Sequence, residues 1–313
     1  MISNGGRIDL KNNNIKWKKI GKIFDFQAIN QDLLTHASNP LAIHLEDDIF
    51  RVFFSSRNKD NKSSVAFVDI DIFTKKIHQL SDTVFKYGEE NSFYSHGVSI
   101  GNIYTIEDKS YIGFMGWQIN NNDHWRGDIG RLELIRDKRL SLSPDKVFIG
   151  CDDEDKISLS YPWIMFDEGI YKMWYGSTDD WTSSNNEMIH IIKYATSIDG
   201  QNWDKKGLAI PFELGEAQAF SRPTVIKING IYKMWFSYRR GDGTKYKIGY
   251  AHSQNGIDWI REKTSGIDVS KEDWDSEMIC YPFVFSHKGE TYMLYNGNNY
   301  GKSGFGLAIL ENK

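Results

Sequence analysis

The chain reads as an all-β protein, a five-bladed β-propeller built from four-stranded antiparallel blades. Three observations predict this: a segment that recurs about every sixty residues, prolines that fall at one phase of the recurrence, and an aromatic fraction of 14%. Aromatic side chains fit a pleated, half-buried surface better than a helix. Self-similarity at a fixed period is the signature of a repeat architecture.

The copies begin at Asp48, Lys109, Gly169, Gly230 and Gly289. The clearest pair is Gly169-Ile170-Tyr171-Lys172-Met173-Trp174-Tyr175 and Gly230-Ile231-Tyr232-Lys233-Met234-Trp235-Phe236. Around each lies one plan. In the fourth copy an apolar run at 224–228 meets the turn Asn229-Gly230, then come an aromatic strand at 232–238, a polar loop and a third strand at 247–252. Turn dipeptides flanked by aromatic and β-branched residues are hairpin signals, and four strands per period make a blade. Five blades set radially give the propeller, because repeats of a solenoid are usually shorter than about 50 residues.

The fourth strand carries a motif of its own, a Trp three residues after a turn glycine, at Gly200 to Trp203 and Gly256 to Trp259. The fifth copy has only three strands. Asn13-Asn14-Ile15-Lys16-Trp17-Lys18-Lys19-Ile20-Gly21 resembles the Trp203 segment, so a strand around Trp17 is expected to complete the last blade and close the ring. That makes residues 1–313 one domain, without free edges. Trp17, Trp174, Trp203, Trp235 and Trp259 follow the repeat and are core candidates; Trp117, Trp125 and Trp181 fall near loops and could stack on a ligand.

Composition bounds the function. With 40% hydrophobic and 26% charged residues the chain is neither disordered nor fibrous, and a net charge of -4 argues against non-specific nucleic-acid binding. No apolar stretch reaches the ~18 residues of a membrane helix, and residues 1–11 lack a hydrophobic signal core, so a cytoplasmic protein is expected. Cys151 and Cys280 are too few and too far apart for a disulfide framework or a zinc cluster. No metal site and no cofactor fingerprint is present, and neither is expected.

Four of the six prolines, Pro40, Pro162, Pro223 and Pro282, precede the first strand of a blade, where a missing ladder donor is tolerated. The residues before them, Asn39, Tyr161, Arg222 and Tyr281, are expected to be extended and to reach the propeller axis, with Ile100 in that place in the second blade. The rim they form is the candidate pocket. His36, His96, Glu216 and Glu277 lie just upstream, and the facing loops bring Arg57, His124, Arg126, Asp179, Asp180, His190, Arg239, Arg240, Tyr300 and Lys302. Several arginines on one funnel favour a carboxylate or phosphate, because the guanidinium fork matches those groups.

The repeat, the strand-start X-Pro positions and the Asp-Gly-x-x-Trp turn resemble the five-bladed propeller glycosidases, a superfamily of arabinanases, xylosidases, invertases, levansucrases and mannoside phosphorylases. The segments around His36 to Pro40, Ser276 to Pro282 and Tyr295 to Lys302 resemble a glycosidase-like subgroup associated with surface-polysaccharide genes. The resemblance implies a carbohydrate or sugar-phosphate ligand in the central funnel and, in the hydrolases, an Asp, an Asp and a Glu on the first three inner strands. This chain has Asn39, Ile100 and Tyr161 there, and none of these replaces a carboxyl group. An acid–base pair then has to come from elsewhere. Glu277 as base or nucleophile and Glu216 as acid are the candidates, with His36 or His96 as the alternative proton carrier and Asn39, His96, Tyr161, Arg222, Tyr281, Arg57, His190 and Arg239 as binding residues. Two functions are open on these residues: an enzyme acting on glycosides or activated sugars, by hydrolysis, phosphorolysis or transfer, and a carbohydrate-binding propeller that has lost the carboxylates.

Overall fold

The computed structural model of the protein describes residues 15–119, 124–136 and 138–311. Strand β1 (Trp17–Asp25) comes first, followed by β2 (Thr35–Glu46), β3 (Ile49–Arg57), β4 (Ser63–Asp71) and β5 (Ile77–Leu80). The next set is β6 (Gly97–Ile106), β7 (Lys109–Ile119), β8 (Trp125–Ile135) and β9 (Arg139–Leu142). Then come β10 (Ser158–Asp167), β11 (Ile170–Asp180), β12 (Ile189–Ser197) and β13 (Asp204–Leu208), and β14 (Ser221–Ile228), β15 (Ile231–Tyr238), β16 (Lys247–Ser253) and β17 (Trp259–Glu262). The last set is β18 (Cys280–His287), β19 (Glu290–Asn296), a single helical turn α1 (Asn298–Gly301) and β20 (Gly304–Leu310).

The sheets follow the period of the sequence. β10 to β13 and β14 to β17 are four-stranded antiparallel sheets in chain order. β18, β19 and β20 make a third, whose fourth strand is β1, with Trp17 opposite Leu310 and Asp25 opposite Gly304. The segment expected to supply this strand starts at Asn13, and Asn13 and Asn14 lie outside the described residues. β2 to β9 form one eight-stranded sheet, in which β2 to β5 and β6 to β9 meet at a single parallel bridge between Ser63 and Gly97. First strands of successive sets pack on each other: β2 on β6, β6 on β10, β10 on β14, β14 on β18, and β18 on β2.

Aromatic residues of the repeat lie between the sheets. Trp17, Trp174, Trp235 and Trp259 are buried, and Trp203 is half-buried. The Trp174 and Trp259 indoles both donate to the Gly256 carbonyl, at 3.0 and 2.9 Å. Gly256 has a φ of 77°, the left-handed conformation this turn requires, and a β-carbon there would crowd Trp174 at 3.2 Å. One glycine thus serves both the turn of its own sheet and the core between neighbouring sheets.

The residues before the strand-start prolines depart from expectation. Asn39, Tyr161, Arg222 and Tyr281 are not extended; their φ angles are 56, 32, 48 and 54°. Each sits in a bulge of the first strand: Ser160 faces Gly176 and Trp163 faces Trp174, so Tyr161 and Pro162 together oppose one residue, Tyr175. The same shift occurs after Ser38, Ser221 and Cys280. Two residues against one force the chain out of the pleat, and proline suits the skipped position because it has no N–H to leave unpaired.

The second set corrects another expectation. There the bulge lies between Ile100 and Ile103, so Gly101 and Asn102 hold the places of the X-Pro pair, and Ile100 is a fully buried core residue one position earlier. A side chain at Gly101 would run into the Pro162 carbonyl of β10. Asn102 bonds across to the same strand, accepting from Ile164 N at 2.9 Å and donating to Ile164 O at 2.7 Å.

Candidate functional site

Where the five first strands converge, an open cavity of about 270 Å³ is lined by the residues that precede and follow the bulges. That is just below the ~300–1,000 Å³ range of small-molecule sites. Six hydroxyls line it, from Ser38, Ser55, Ser63, Ser99, Ser160 and Ser221. One aromatic wall is built by Tyr161, Tyr246, Tyr281 and Tyr300, with Tyr161 and Tyr281 ring centres 5.7 Å apart; Trp117 and Trp125 add indole surface. Burial pushes the Tyr161 and Tyr281 phenols above their ordinary range, so both stay neutral hydrogen-bond donors.

The charged and polar groups of the wall are few. Arg57 and Arg239 are its cations. Arg239 donates to Glu187 at 2.8 Å and lies 4.9 Å from the Tyr246 ring centre, while its Nε has no partner among the described residues. Asn39 is buried, takes an Asn296 oxygen on its backbone N–H at 2.9 Å, and leaves its side-chain oxygen without a partner among the described residues. His190 is buried, with Nε2 2.6 Å from Ser160 Oγ and Nδ1 2.7 Å from Thr178 Oγ1. Burial, aided by the Arg239 charge, lowers its pKa to about 3, which keeps the ring neutral. Among the described residues no Asp or Glu lines the cavity.

The structure brings together Asn39, Tyr161, Tyr281, Arg57, His190 and Arg239 of the expected set. Glu216 and Glu277 are not in the wall. Both are exposed, Glu216 paired with Arg240 at 2.9 Å and Glu277 paired with Lys245. Arg126 is likewise tied to Asp128, at 3.3 Å. Glu216 stands six residues before the bulge residue of its sheet, where the third and fifth sets have Asp155 and Asp275; those two accept from the Tyr175 and Tyr295 hydroxyls at 2.9 and 3.0 Å. The glutamate therefore holds a position used elsewhere for internal hydrogen bonding.

Two histidines also lie outside the wall. His36 bonds Thr35 Oγ1 at 2.8 Å, and burial together with Arg57 and Lys302 lowers its pKa to about 4. His96 accepts from Ile119 N at 3.3 Å. Trp181 stacks on His124 at 4.7 Å and meets Trp125 edge-on at 4.8 Å, backing the cavity wall.

Arg222, expected to touch the ligand, lies beneath the cavity with its donors spent on the protein. Nε donates to Ile100 O, Nη1 to Tyr281 O and Pro282 O, and Nη2 to Pro40 O and Gly101 O, at 2.7 to 3.4 Å. A guanidinium has five N–H donors, so none is left for a ligand. Its acceptors are the carbonyls that the bulges turn inward, which the sequence alone does not expose. The bond of Ser160 to His190 likewise depends on three strands lying side by side, which the sequence does not expose.

No family model matches the chain. It is 38% identical over 302 residues, 95% of its length and 99% of theirs, to two Mycobacterium tuberculosis proteins, uncharacterized protein MT1551 of strain CDC 1551 and uncharacterized protein Rv1502 of strain H37Rv. Among solved structures it superposes on the BT0996 RGII complex with a TM-score of 0.75 at 13% identity, covering 96% of this protein and 93% of that one. The endo-arabinase from Bacteroides thetaiotaomicron gives 0.65 at 12% identity, covering 91% and 99%. A thermostable family-43 glycoside hydrolase gives 0.61 at 18% identity, covering 91% of each. At these identities the likeness is one of fold.

Proposed function

Since the chain belongs to the family of the two Mycobacterium tuberculosis proteins and carries the fold of the propeller glycoside hydrolases, we propose that it is a glycosidase-like propeller whose central cavity binds an acidic sugar, one bearing a carboxylate or a phosphate. In this reading residues 1–313 are one domain of five blades, the eight-stranded sheet counts as two, and β1 closes the ring by completing the last.

The observation that carries the proposal is the charge of the wall: two arginines and, among the described residues, no carboxylate. A neutral sugar would leave Arg57 without a counter-charge as water is displaced, whereas an anion supplies one and takes the bidentate geometry a guanidinium offers. The serine hydroxyls and neutral tyrosines suit sugar oxygens, and the aromatic faces suit the ring. Among the described residues of this wall, glycosidic cleavage by a carboxyl pair about 5 to 9.5 Å apart finds no such pair to use. Glu216 and Glu277 act at the rim in this reading, as ion-pair partners.

Calorimetric titration of glucuronate, glucose 6-phosphate and glucose tests the proposal. Expected is binding of at least one acid that exceeds glucose by roughly tenfold or more and is lost in Arg57→Ala and Arg239→Ala. Equal affinity for glucose would overturn it.

A further inference from the structure

The cavity holds a hydrogen-bonded serine and histidine that sugar binding alone does not require. Ser160 on β10, Gly176 and Thr178 on β11, and His190 on β12 lie on one face of the same sheet, with Ser160 opposite Gly176 and Thr178 opposite His190 in register. His190 reaches Ser160 only by passing over Gly176. A β-carbon at that position would overlap both Ser160 Oγ and His190 Nε2, so the glycine is what lets the two meet. Both partners line the cavity.

We propose that Ser160 and His190 form a nucleophile–base pair that cleaves an ester on the bound acidic sugar, an activity that rests on the anion-binding reading above for its substrate class. A serine hydroxyl is a weak nucleophile until a neighbouring base takes its proton. With the His190 Nδ1–H donated to Thr178 Oγ1, Nε2 is left as the acceptor facing Ser160, the tautomer such a base needs. Thr178 stands where an acidic residue often holds the histidine, so it orients the ring without adding charge. Arg239 lines the same cavity as Ser160 and His190 and is the cation available there to negative charge developing on the carbonyl oxygen.

The step balances with water alone. Ser160 Oγ bonds the acyl carbon as its proton passes to His190 Nε2; the bond from that carbon to the sugar oxygen breaks, and His190 returns the proton to the leaving sugar hydroxyl. Water then attacks the acyl-serine, passing a proton to His190; the Oγ–acyl bond breaks, Ser160 recovers its proton, and a carboxylic acid leaves.

The test uses the full chain and diisopropyl fluorophosphate, with adducts mapped by peptide mass spectrometry, beside turnover of an O-acetylated glucuronate. Expected is an adduct on Ser160, turnover reduced at least a hundredfold in Ser160→Ala and His190→Gln, and labelling slowed roughly tenfold in Thr178→Val. Gly176→Ala should abolish labelling, with thermal unfolding recorded to show that it folds. Absence of a Ser160 adduct in wild-type protein that binds glucuronate would overturn the pair while leaving the anion site intact; so would equal labelling of Ser160 in His190→Gln. An adduct on Ser160 in protein that binds no acidic sugar would keep the pair and sink the anion reading instead.

Discussion

Arg222 Nη2 donates to the main-chain oxygen of Pro40 at 2.7 Å, joining two sheets whose sequences stand 182 residues apart. Together with its bonds to Ile100, Gly101, Tyr281 and Pro282, this side chain gathers carbonyls from β2, β6 and β18 onto a guanidinium carried by β14. Burial lowers its pKa to about 10, which leaves the group charged at neutral pH. A buried cation held by carbonyl dipoles rather than by a carboxylate is a device of assembly.

Replacing it should therefore cost stability before it costs binding. Arg222→Met strands several buried carbonyls at about 1 to 3 kcal/mol each, so a loss of at least about 3 kcal/mol is expected, read from the denaturant midpoint. Arg222→Lys keeps the charge and three donors and should lose roughly half as much. An unchanged midpoint in both variants would show that the carbonyls find other partners.

Glu216→Gln and Glu277→Gln are expected to change acidic-sugar affinity by less than about twofold and stability by no more than ~1 kcal/mol, because each removes an exposed ion pair. A tenfold loss of binding in either would bring that carboxylate back into the site.

Stability should fall on mild acidification. His36 and His190 have native pKa values of about 4 and about 3, below the value of about 6.5 for an unfolded histidine. Burial is the main cause for both, with Arg57 and Lys302 adding to it at His36 and Arg239 at His190. Between pH 6.5 and 4 the unfolded chain therefore binds protons that the native state refuses, and each histidine contributes up to about 1.4 kcal/mol per pH unit; above pH 6.5 the contribution is complete and flat. Urea unfolding at pH 4.5, 5.5 and 7 should show this slope, reduced in His190→Gln.

Binding of glucuronate should weaken severalfold between 0.05 and 0.5 M salt, roughly as expected for a charge pair in an open cavity. Salt independence would mean that Arg57 and Arg239 do not contact the anion.

Gly101→Ala should destabilise by about 1 to 3 kcal/mol, since a methyl group there has to displace the Pro162 carbonyl. Ile100→Val should cost about 1 kcal/mol and leave affinity unchanged, because Ile100 belongs to the core. An affinity change in Ile100→Val would place that side chain at the site after all.

Much of the architecture was legible in the residues. The sixty-residue recurrence, the Trp and turn-glycine pairs and the shared phase of four prolines led to strands observed in the expected places, including β1 beside β20. The cavity wall was half legible: Asn39, Tyr161 and Tyr281 came from the proline phase, Arg57, His190 and Arg239 from the loops. What failed was local geometry. A residue before proline reads as extended, yet the bulge imposes a left-handed φ, and the spacing of the first copy put Ile100 where Gly101 stands because β2 carries an extra bulge between His44 and Glu46 that β6 lacks.

The repeat itself settled the order of elements, because hydrophobic periodicity and turn chemistry are local and each copy states them again. Which polar side chains face the cavity was decided only by tertiary structure. Glu216 and Arg222 sit near the same strand start, but Glu216, in the loop before β14, turns out to pair with Arg240, while Arg222, in the bulge, turns inward onto main-chain carbonyls. The pairing of Ser160 with His190 is of the same kind: thirty residues apart in sequence, they meet because three strands align and the middle one carries glycine at the crossing.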